Sequence, residues 1–160
     1  MGFSLHFMVI DRDQIIDADR AGLIAFLDAS RLRIDRRWSQ LSNVDTDEPL
    51  SFDGSPSDFS LDPLDQADPV TGYLSHATCS PAECAFIFDL CRAGRMMIVN
   101  AQGSPMYIGI TGIHNLEAFP DPEDTAFVGS GDELFEVLSL GYAGFQEYRA
   151  RVLRSYEDRT

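Results

Sequence analysis

The chain contains no lysine: all twelve of its basic residues are arginine, against 26 aspartates and glutamates. The resulting net charge of −14 repels phosphate, which argues against sequence-independent binding of DNA or RNA and against binding to anionic membranes. The same charge favours fast, electrostatically steered association with a basic partner. An acidic surface also keeps a protein soluble, and the composition is compatible with either role.

Cysteines and long apolar runs are also scarce. The three cysteines, Cys79, Cys84 and Cys91, are odd in number and closely spaced, which argues against a disulfide framework. No segment approaches the roughly 18–20 consecutive apolar residues of a membrane span. The first strand-like segment has no basic leader and is followed directly by Asp11 and Asp13, so we expect no secretory signal. A reducing cytoplasm is the expected compartment.

Motifs of nucleotide and calcium binding are absent. The twelve glycines never form G-x-G-x-x-G or a P-loop. The acidic run 45–48 does not fit an EF-hand loop, which needs oxygen ligands at alternating positions around a central glycine. We therefore expect no cofactor.

The length of 160 residues and the hydrophobic fraction of 44% suit a single domain with one core. Apolar runs predict a small, largely antiparallel sheet, and apolar stripes at helical spacing predict helices packed against it, which together define an α+β fold. The predicted strands lie near residues 3–10, 50–52, 59–61, 95–100 and 106–111. The predicted helices lie near residues 18–30, 81–93, 131–140 and 143–157.

Two strand pairs are predicted from the turn residues between them. The alternating segments 50–52 and 59–61 flank a turn-rich acidic segment and are expected to pair with each other. The apolar segments 95–100 and 106–111 flank a Gly/Asn/Pro connector, which predicts an antiparallel hairpin. Residues 112–129 are expected to be mostly loop.

The helix over 81–93 has the clearest signals. Ser80 is the expected N-cap, Pro81 takes the first helical position, and Glu83 can complete a capping box. Gly94 is expected to form the left-handed C-terminal cap. An apolar stripe runs between the caps, and its positions are Cys84, Ile87, Phe88 and Cys91. This pattern predicts a helix that is buried on most sides.

The cysteines and nearby histidines raise two chemical hypotheses. His76, Cys79, Cys84 and Cys91 are the residue types of a zinc site, but Cys84 and Cys91 lie two helical turns apart, about 10 Å along the axis. Burial of both thiols as small apolar groups is the preferred interpretation. Cys79 precedes a helix N-terminus, where the dipole could lower its thiol pKa, and a nucleophilic role would need His76 or His114 as a base.

Basic residues are segregated along the chain. Arg31, Arg33, Arg36 and Arg37 form one cluster beside Trp38, which could clamp a phosphate or stack on a base, or pair with neighbouring acids. From residue 38 to 91 there are ten acids and no arginine. The turn-rich part of this stretch predicts a solvent-facing surface for a basic partner. The predicted partner-binding residues are Asp45, Asp47, Glu48, Asp53, Asp58, Asp62, Asp65 and Asp68.

The leading functional hypothesis is a non-catalytic interaction protein that binds and masks a basic protein, most concretely as a toxin-neutralising, immunity-type protein. The alternative is an enzyme or small-ligand binder with a pocket near His76, Cys79 and His114. A third hypothesis is a homo-oligomer with an aromatic interface on the last predicted helix, formed by Tyr142, Phe145, Tyr148 and Tyr156.

Overall fold

The computed structural model describes residues 3–140 together with residues 150, 151 and 154. The helices are α1 (Arg20–Ala29), α2 (Pro81–Gly94) and α3 (Gly131–Ser139), and two 3-10 turns span Leu116–Ala118 and Pro122–Asp124. The strands are β1 (Phe3–Asp11), β2 (Gln14–Ile16), β3 (Leu32–Ile34), β4 (Leu41–Asn43), β5 (Ser51–Phe52), β6 (Ser55–Pro56), β7 (Asp58–Leu61), β8 (Gly72–Ala77), β9 (Met97–Val99), β10 (Tyr107–Ile110) and β11 (Thr125–Val128). Within this described part of the chain, no helix is long and apolar enough to cross a membrane.

The last predicted helix is described only in part. Residues 150, 151 and 154 are helical. The rest of the predicted helix 143–157 and the proposed interface residues Tyr142, Phe145, Tyr148 and Tyr156 lie outside the described residues.

The main sheet has seven strands, of which six follow the order β11–β10–β9–β1–β8–β7 while β2 pairs with the end of β1. Neighbouring strands are antiparallel except β10 and β11, which run parallel. Helices pack on one face of this sheet. The predicted α+β fold, with a largely antiparallel sheet covered by helices, is confirmed.

Strand pairing agrees with one prediction and contradicts the other. The hairpin of β9 and β10 forms as expected, with Ile98 opposite Ile108. The predicted pairing of 50–52 with 59–61 is wrong, because β5 pairs with β6 while β7 pairs with β8. Asp53 and Gly54 both have positive φ, 52° and 82°, as a two-residue hairpin turn requires. This tight turn closes the β5–β6 hairpin early and leaves residues 58–61 free to join the main sheet.

Six strands were not predicted. They are β2, β3, β4, β6, β8 and β11. Strand β11 lies inside the segment 112–129 that was expected to be mostly loop, and it pairs along its whole length with β10. A parallel pair needs a crossover rather than a hairpin turn, and residues 111–124 supply it.

Alternation along the strands divides the sheet into two faces. On the helix-covered face, Leu5 and Phe7 of β1 are fully buried, and the Phe7 ring stacks on Phe59 of β7 at 5.1 Å. The apolar stripe of α2 packs into the same core, with Cys84, Ile87 and Cys91 fully buried. The predicted burial of α2 is therefore confirmed.

The capping of α2 begins with the predicted Ser80 N-cap, but the Glu83 side chain bonds the two residues before Ser80 instead of Ser80 itself, and the helix ends differently. The Ser80 hydroxyl accepts from the Glu83 N–H at 3.2 Å, and the buried Glu83 carboxylate accepts from the N–H groups of Thr78 and Cys79 at 3.0 and 2.9 Å. At the other end, the left-handed residue is Arg95 with φ 56°, so the prediction of Gly94 as the left-handed cap is wrong. Gly94 serves a different purpose, described next.

Glycines allow α1 to lie against the end of α2. A Cβ at Gly94 would lie 2.8 Å from Leu23 of α1, and a Cβ at Gly22 would lie 2.1 Å from the carbonyl oxygen of Ala93. The Asp19 N–H, at the N-cap of α1, donates to the Gly94 carbonyl at 2.9 Å. The start of α1 is thereby fixed to the last turn of α2.

The opposite face of the sheet is covered over only half its width. Phe119, from the segment between β10 and β11, packs with Ile10, Met97 and Val99 in a second small core. A Cβ at Gly109 would lie 2.7 Å from the Phe119 ring, so the glycine lets this ring lie on the sheet. The other half of this face, formed by β1, β8 and β7, carries polar and aromatic side chains instead. This half is called the open face below.

Replacing Gly22 with alanine should destabilise the protein. In an unhindered helix, replacing glycine with alanine increases the free energy of unfolding by about 1 kcal/mol. Overpacking against the Ala93 carbonyl decreases it by on the order of 1–3 kcal/mol. Gly129→Ala is the matched control, since its Cβ would have no neighbour closer than 3.7 Å. Urea unfolding of both variants measures the difference, and an increased midpoint for Gly22→Ala would contradict the close contact.

Candidate functional site

Arginines of the 31–37 cluster pair with three of the eight predicted partner-binding acids. The pairs are Arg31 with Asp45, Arg33 with Asp47, and Arg36 with Asp65. Strands β3 and β4 form the hairpin that brings the first two pairs together, and the Arg31 guanidinium lowers the pKa of the Asp45 carboxyl. All three pairs are exposed, so each contributes little stability. Pairing with neighbouring acids is thus confirmed for these three arginines.

Two more of the predicted acids lie in a loop, residues 62–71, that is fixed by internal hydrogen bonds. The Asp62 carboxylate accepts from the N–H and hydroxyl of Thr71 at 2.9 and 3.0 Å. Arg20 of α1 donates to three backbone carbonyls of the loop, those of Leu64, Gln66 and Asp68. The Asp68 side chain itself is exposed. This loop is therefore a rigid surface despite its polar composition.

Three acids, Glu48, Asp53 and Asp58, complete the predicted set. All three are exposed. Asp53 occupies the tight β5–β6 turn, and Glu48 follows a turn in which the Asn43 amide oxygen accepts from the Asp45 N–H at 2.8 Å. Asp58 begins β7 and contacts His76 of β8, with 3.1 Å between carboxylate and Nδ1. The structure thus places Asp58, alone among the eight, beside the open face.

The open face holds a shallow cleft of about 430 Å³ over strands β7 and β8. We call it the Trp38 cleft, and its lining residues are Trp38, Gln40, Asp58, Ser60, Tyr73 and Ser75. Gln40 reaches it through an antiparallel bridge to Ser60. Trp38, the single tryptophan of the chain, is 67% exposed, and Tyr73 is 37% exposed. Large aromatic side chains at such exposure, next to polar groups, are typical of binding surfaces.

Sequence reasoning missed this cleft. Its signal was the segment Gly72–Ala77, in which polar and apolar residues alternate as they do in a strand with one face in the core. Recognising that strand would have placed Tyr73 and Ser75 on the outer face. The contribution of Trp38 and Gln40 depends on an isolated bridge between distant segments, which no local pattern indicates.

His114 lies in a separate cleft of about 400 Å³, whose charged and polar lining also includes Asp11, Asp17, Asp19 and Arg95. Its Nδ1 accepts from the Ile110 N–H at 2.9 Å, which leaves the proton on Nε2 to donate to the Arg95 carbonyl at 2.9 Å. Both ring nitrogens are therefore in use. Burial lowers the pKa of His114, against a smaller opposing effect of the Arg95 hydrogen bond.

The residues of the alternative pocket hypothesis are dispersed. His76 is exposed beside Asp58, whereas His114 lines the second cleft, which includes neither His76 nor Cys79. Burial, followed by the charge of Glu83, raises the pKa of the Cys79 thiol to about 11, which reverses the expected lowering. Glu83 occupies the helix N-terminus and cancels the positive potential there. Within the described residues, no three His, Cys, Asp or Glu side chains are grouped to hold a metal ion.

Comparison with known proteins gives no family for this fold or cleft. No protein-family model matches the chain, and neither a curated protein nor a solved structure matches it. The function is therefore inferred from the clefts and exposed charges of the chain itself.

Thiol reactivity should follow burial. We expect all three cysteines to react slowly with Ellman's reagent at neutral pH, since burial raises the pKa of Cys79 to about 11, raises that of Cys84 to about 12, and raises that of Cys91 as well. Cys79 should react first, because it is only partly buried. Single Cys→Ser variants assign each reaction, and metal analysis should find no stoichiometric zinc. Rapid modification of Cys79 at neutral pH would contradict this environment.

Stability should fall in mild acid through His114. Its folded-state pKa is lowered, so the neutral ring contributes stability above the unfolded value of about 6.5, and that contribution is lost as the pH falls below it. The free energy of unfolding, measured with denaturant above and below this pH, should decrease less on acidification for His114→Gln than for the wild type. His76→Gln, at an exposed histidine, is the matched control and should behave as the wild type does.

Proposed function

We propose that this protein is a non-catalytic acidic interaction protein that binds and masks a basic protein partner, most concretely as a toxin-neutralising, immunity-type protein. The observation that carries the proposal is the rigid presentation of unpaired acids. Glu48, Asp53 and Asp68 are exposed, pair with no arginine of the described residues, and are held on backbone that internal hydrogen bonds fix. Charges that are already ordered lose little conformational freedom when a partner binds.

The net charge of −14 supports the same proposal at longer range. A field of one sign steers a basic partner towards the surface and raises the association rate, and salt weakens it over a Debye length of about 8–10 Å. The arginine pairs at Asp45, Asp47 and Asp65 reduce the local field. Among the predicted residues, steering is therefore concentrated on the acids without such partners.

The dispersal of His76, Cys79 and His114 supports a binding role over a catalytic one. A nucleophile needs its base within hydrogen-bonding reach, about 2.6–3.2 Å. The high pKa of the Cys79 thiol keeps it protonated at neutral pH. His114 has both nitrogens engaged with backbone groups.

Neutralising the unpaired acids should remove partner binding without unfolding the protein. The test variant is Glu48→Gln/Asp53→Asn/Asp68→Asn, and the control with equal charge change is Asp13→Asn/Asp28→Asn/Glu136→Gln at exposed sites elsewhere. Each change should alter stability by at most about 0.5 kcal/mol. Immobilised wild type, test and control proteins are used to capture proteins from the host lysate, followed by mass spectrometry and by association kinetics at low and high ionic strength.

We expect a basic protein that the wild type and control retain and the test variant loses, with association slowed by salt. Equal retention by all three proteins, or salt-independent rates, would contradict the proposal. A captured partner that is itself acidic would contradict it as well.

A further inference from the structure

The Trp38 cleft presents mainly hydrogen-bond acceptors. The Gln40 amide nitrogen donates one of its two hydrogens to the Ser57 carbonyl at 3.1 Å, so its oxygen and one N–H are left for a ligand. The Asp58 carboxylate is an acceptor only, and it is 56% exposed. The hydroxyls of Ser60 and Ser75 can accept as well. A group with several donors and no acceptor is the complement of this lining.

The charge of the cleft favours a cation. Asp58 is the charged side chain among the six lining residues, and Arg37, outside this set, lies over the Trp38 ring. The contact from Asp58 goes to His76, a group that carries charge only when protonated. An incoming cation therefore meets a carboxylate that has no permanently charged partner among the described residues.

The aromatic walls of the cleft select a flat cation. Arg37 holds its guanidinium over the Trp38 ring, with 5.1 Å from Cζ to the ring centroid, so this indole already attracts a guanidinium. Tyr73 is fixed by a hydrogen bond from its hydroxyl to Ser4 at 3.2 Å and by the His6 ring at 4.7 Å. Guanidinium is planar, stacks on aromatic rings, and carries five N–H donors, whereas ammonium is a compact, strongly hydrated charge.

We propose that the Trp38 cleft binds an arginine side chain of the basic partner, whose guanidinium displaces that of Arg37 from the Trp38 ring and donates its N–H groups to Asp58 and Gln40. This inference rests on the proposed function and adds to it a point of specificity. The unpaired acids attract basic proteins in general, and the cleft selects those that present an exposed arginine beside the docking surface. Bidentate and stacked sites of this kind discriminate against lysine.

The tripeptide acetyl-Gly-Arg-Gly-amide is a direct probe, and its lysine and glutamine counterparts are the matched ligands. Since Trp38 is the single tryptophan, its fluorescence reports occupancy of the cleft. Chemical shifts of the six lining residues in an isotope-labelled sample locate the binding. We expect the arginine peptide to bind more tightly than the lysine peptide, and the glutamine peptide to give no saturable change.

Variants distinguish binding in the Trp38 cleft from attraction by the overall negative charge of the protein. Asp58→Asn should weaken binding of the arginine peptide by about two- to fivefold, the range of an exposed ion pair. Trp38→Leu should weaken it by a similar factor, and because this variant has lost the fluorophore, its binding is measured by chemical shifts. Asp53→Asn makes the same charge change outside the cleft and should leave the affinity unchanged. Thermal unfolding verifies that each variant is folded.

Several outcomes would overturn the assignment. Equal affinity for the arginine, lysine and glutamine peptides would do so, as would equal weakening by Asp53→Asn and Asp58→Asn. Perturbation of the lining residues by maltotriose but not by the arginine peptide would instead assign the cleft to a sugar. The triple variant used for partner capture leaves Asp58 and Trp38 unchanged. If that variant loses the partner while the wild-type protein fails to bind the arginine peptide, this inference is overturned and the proposed function stands.

Discussion

Helix α1 meets the last turn of α2 where Gly22 and Gly94 remove the side chains that would hold the backbones apart. This contact fixes the first turn of α1, and Arg20 extends from that turn to three carbonyls of the loop 62–71. The loop connects β7 to β8, so its position sets how these two strands align. The Trp38 cleft lies over the same two strands. A contact between two helices on one side of the sheet is thus linked, through Arg20 and the loop 62–71, to the two strands that carry the Trp38 cleft on the other side.

Arginine has opposite effects on the acidic surface in different places. At the β3–β4 hairpin, Arg31 and Arg33 face acids and cancel charge that the sequence suggested was available. At the start of α1, Arg20 stabilises an acidic loop through its carbonyl groups and leaves the Asp68 carboxylate exposed. The same residue type therefore conceals charge in one region and supports its display in another. Net charge alone does not distinguish these arrangements.

The sequence predicts the elements whose patterns are long and local. The apolar segment of β1, the capped helix α2 and the β9–β10 hairpin follow from periodicity and turn chemistry, which depend on near neighbours. Strand β8 was not predicted, because its backbone is irregular at His76, where φ is 55° and the pairing with β1 changes register. Strands β3 and β4 are three residues each, too short for a period to be counted.

The candidate site was harder to predict than the fold, for a physical reason. The Arg31–Asp45 pair joins residues fourteen positions apart, and the Gln40–Ser60 bridge joins residues twenty apart. Such contacts are consequences of chain topology, and neither charge runs nor hydrophobic patterns specify them. Asp58 was assigned to a turn-rich, loop-like segment, whereas it begins strand β7. Trp38 and Tyr73 lie beside Asp58 because the fold brings three distant segments of the chain together, which the sequence does not indicate.

The central position of β1 has a consequence for synthesis of the chain. Its Leu5 pairs with Leu74, and its His6 pairs with Val99, so both neighbours of the central strand follow it by many tens of residues. At translation rates of about 5–20 residues per second, the apolar segment of β1 remains without its second neighbour for roughly 5–20 seconds. Both of its edges lack a main-sheet partner until β8 has been made, and one edge lacks a partner after that, so the strand and its hydrophobic side chains Leu5 and Phe7 are open to pairing with other nascent chains. The net charge of −14 opposes such pairing between copies of the chain until Val99 has emerged from the ribosome.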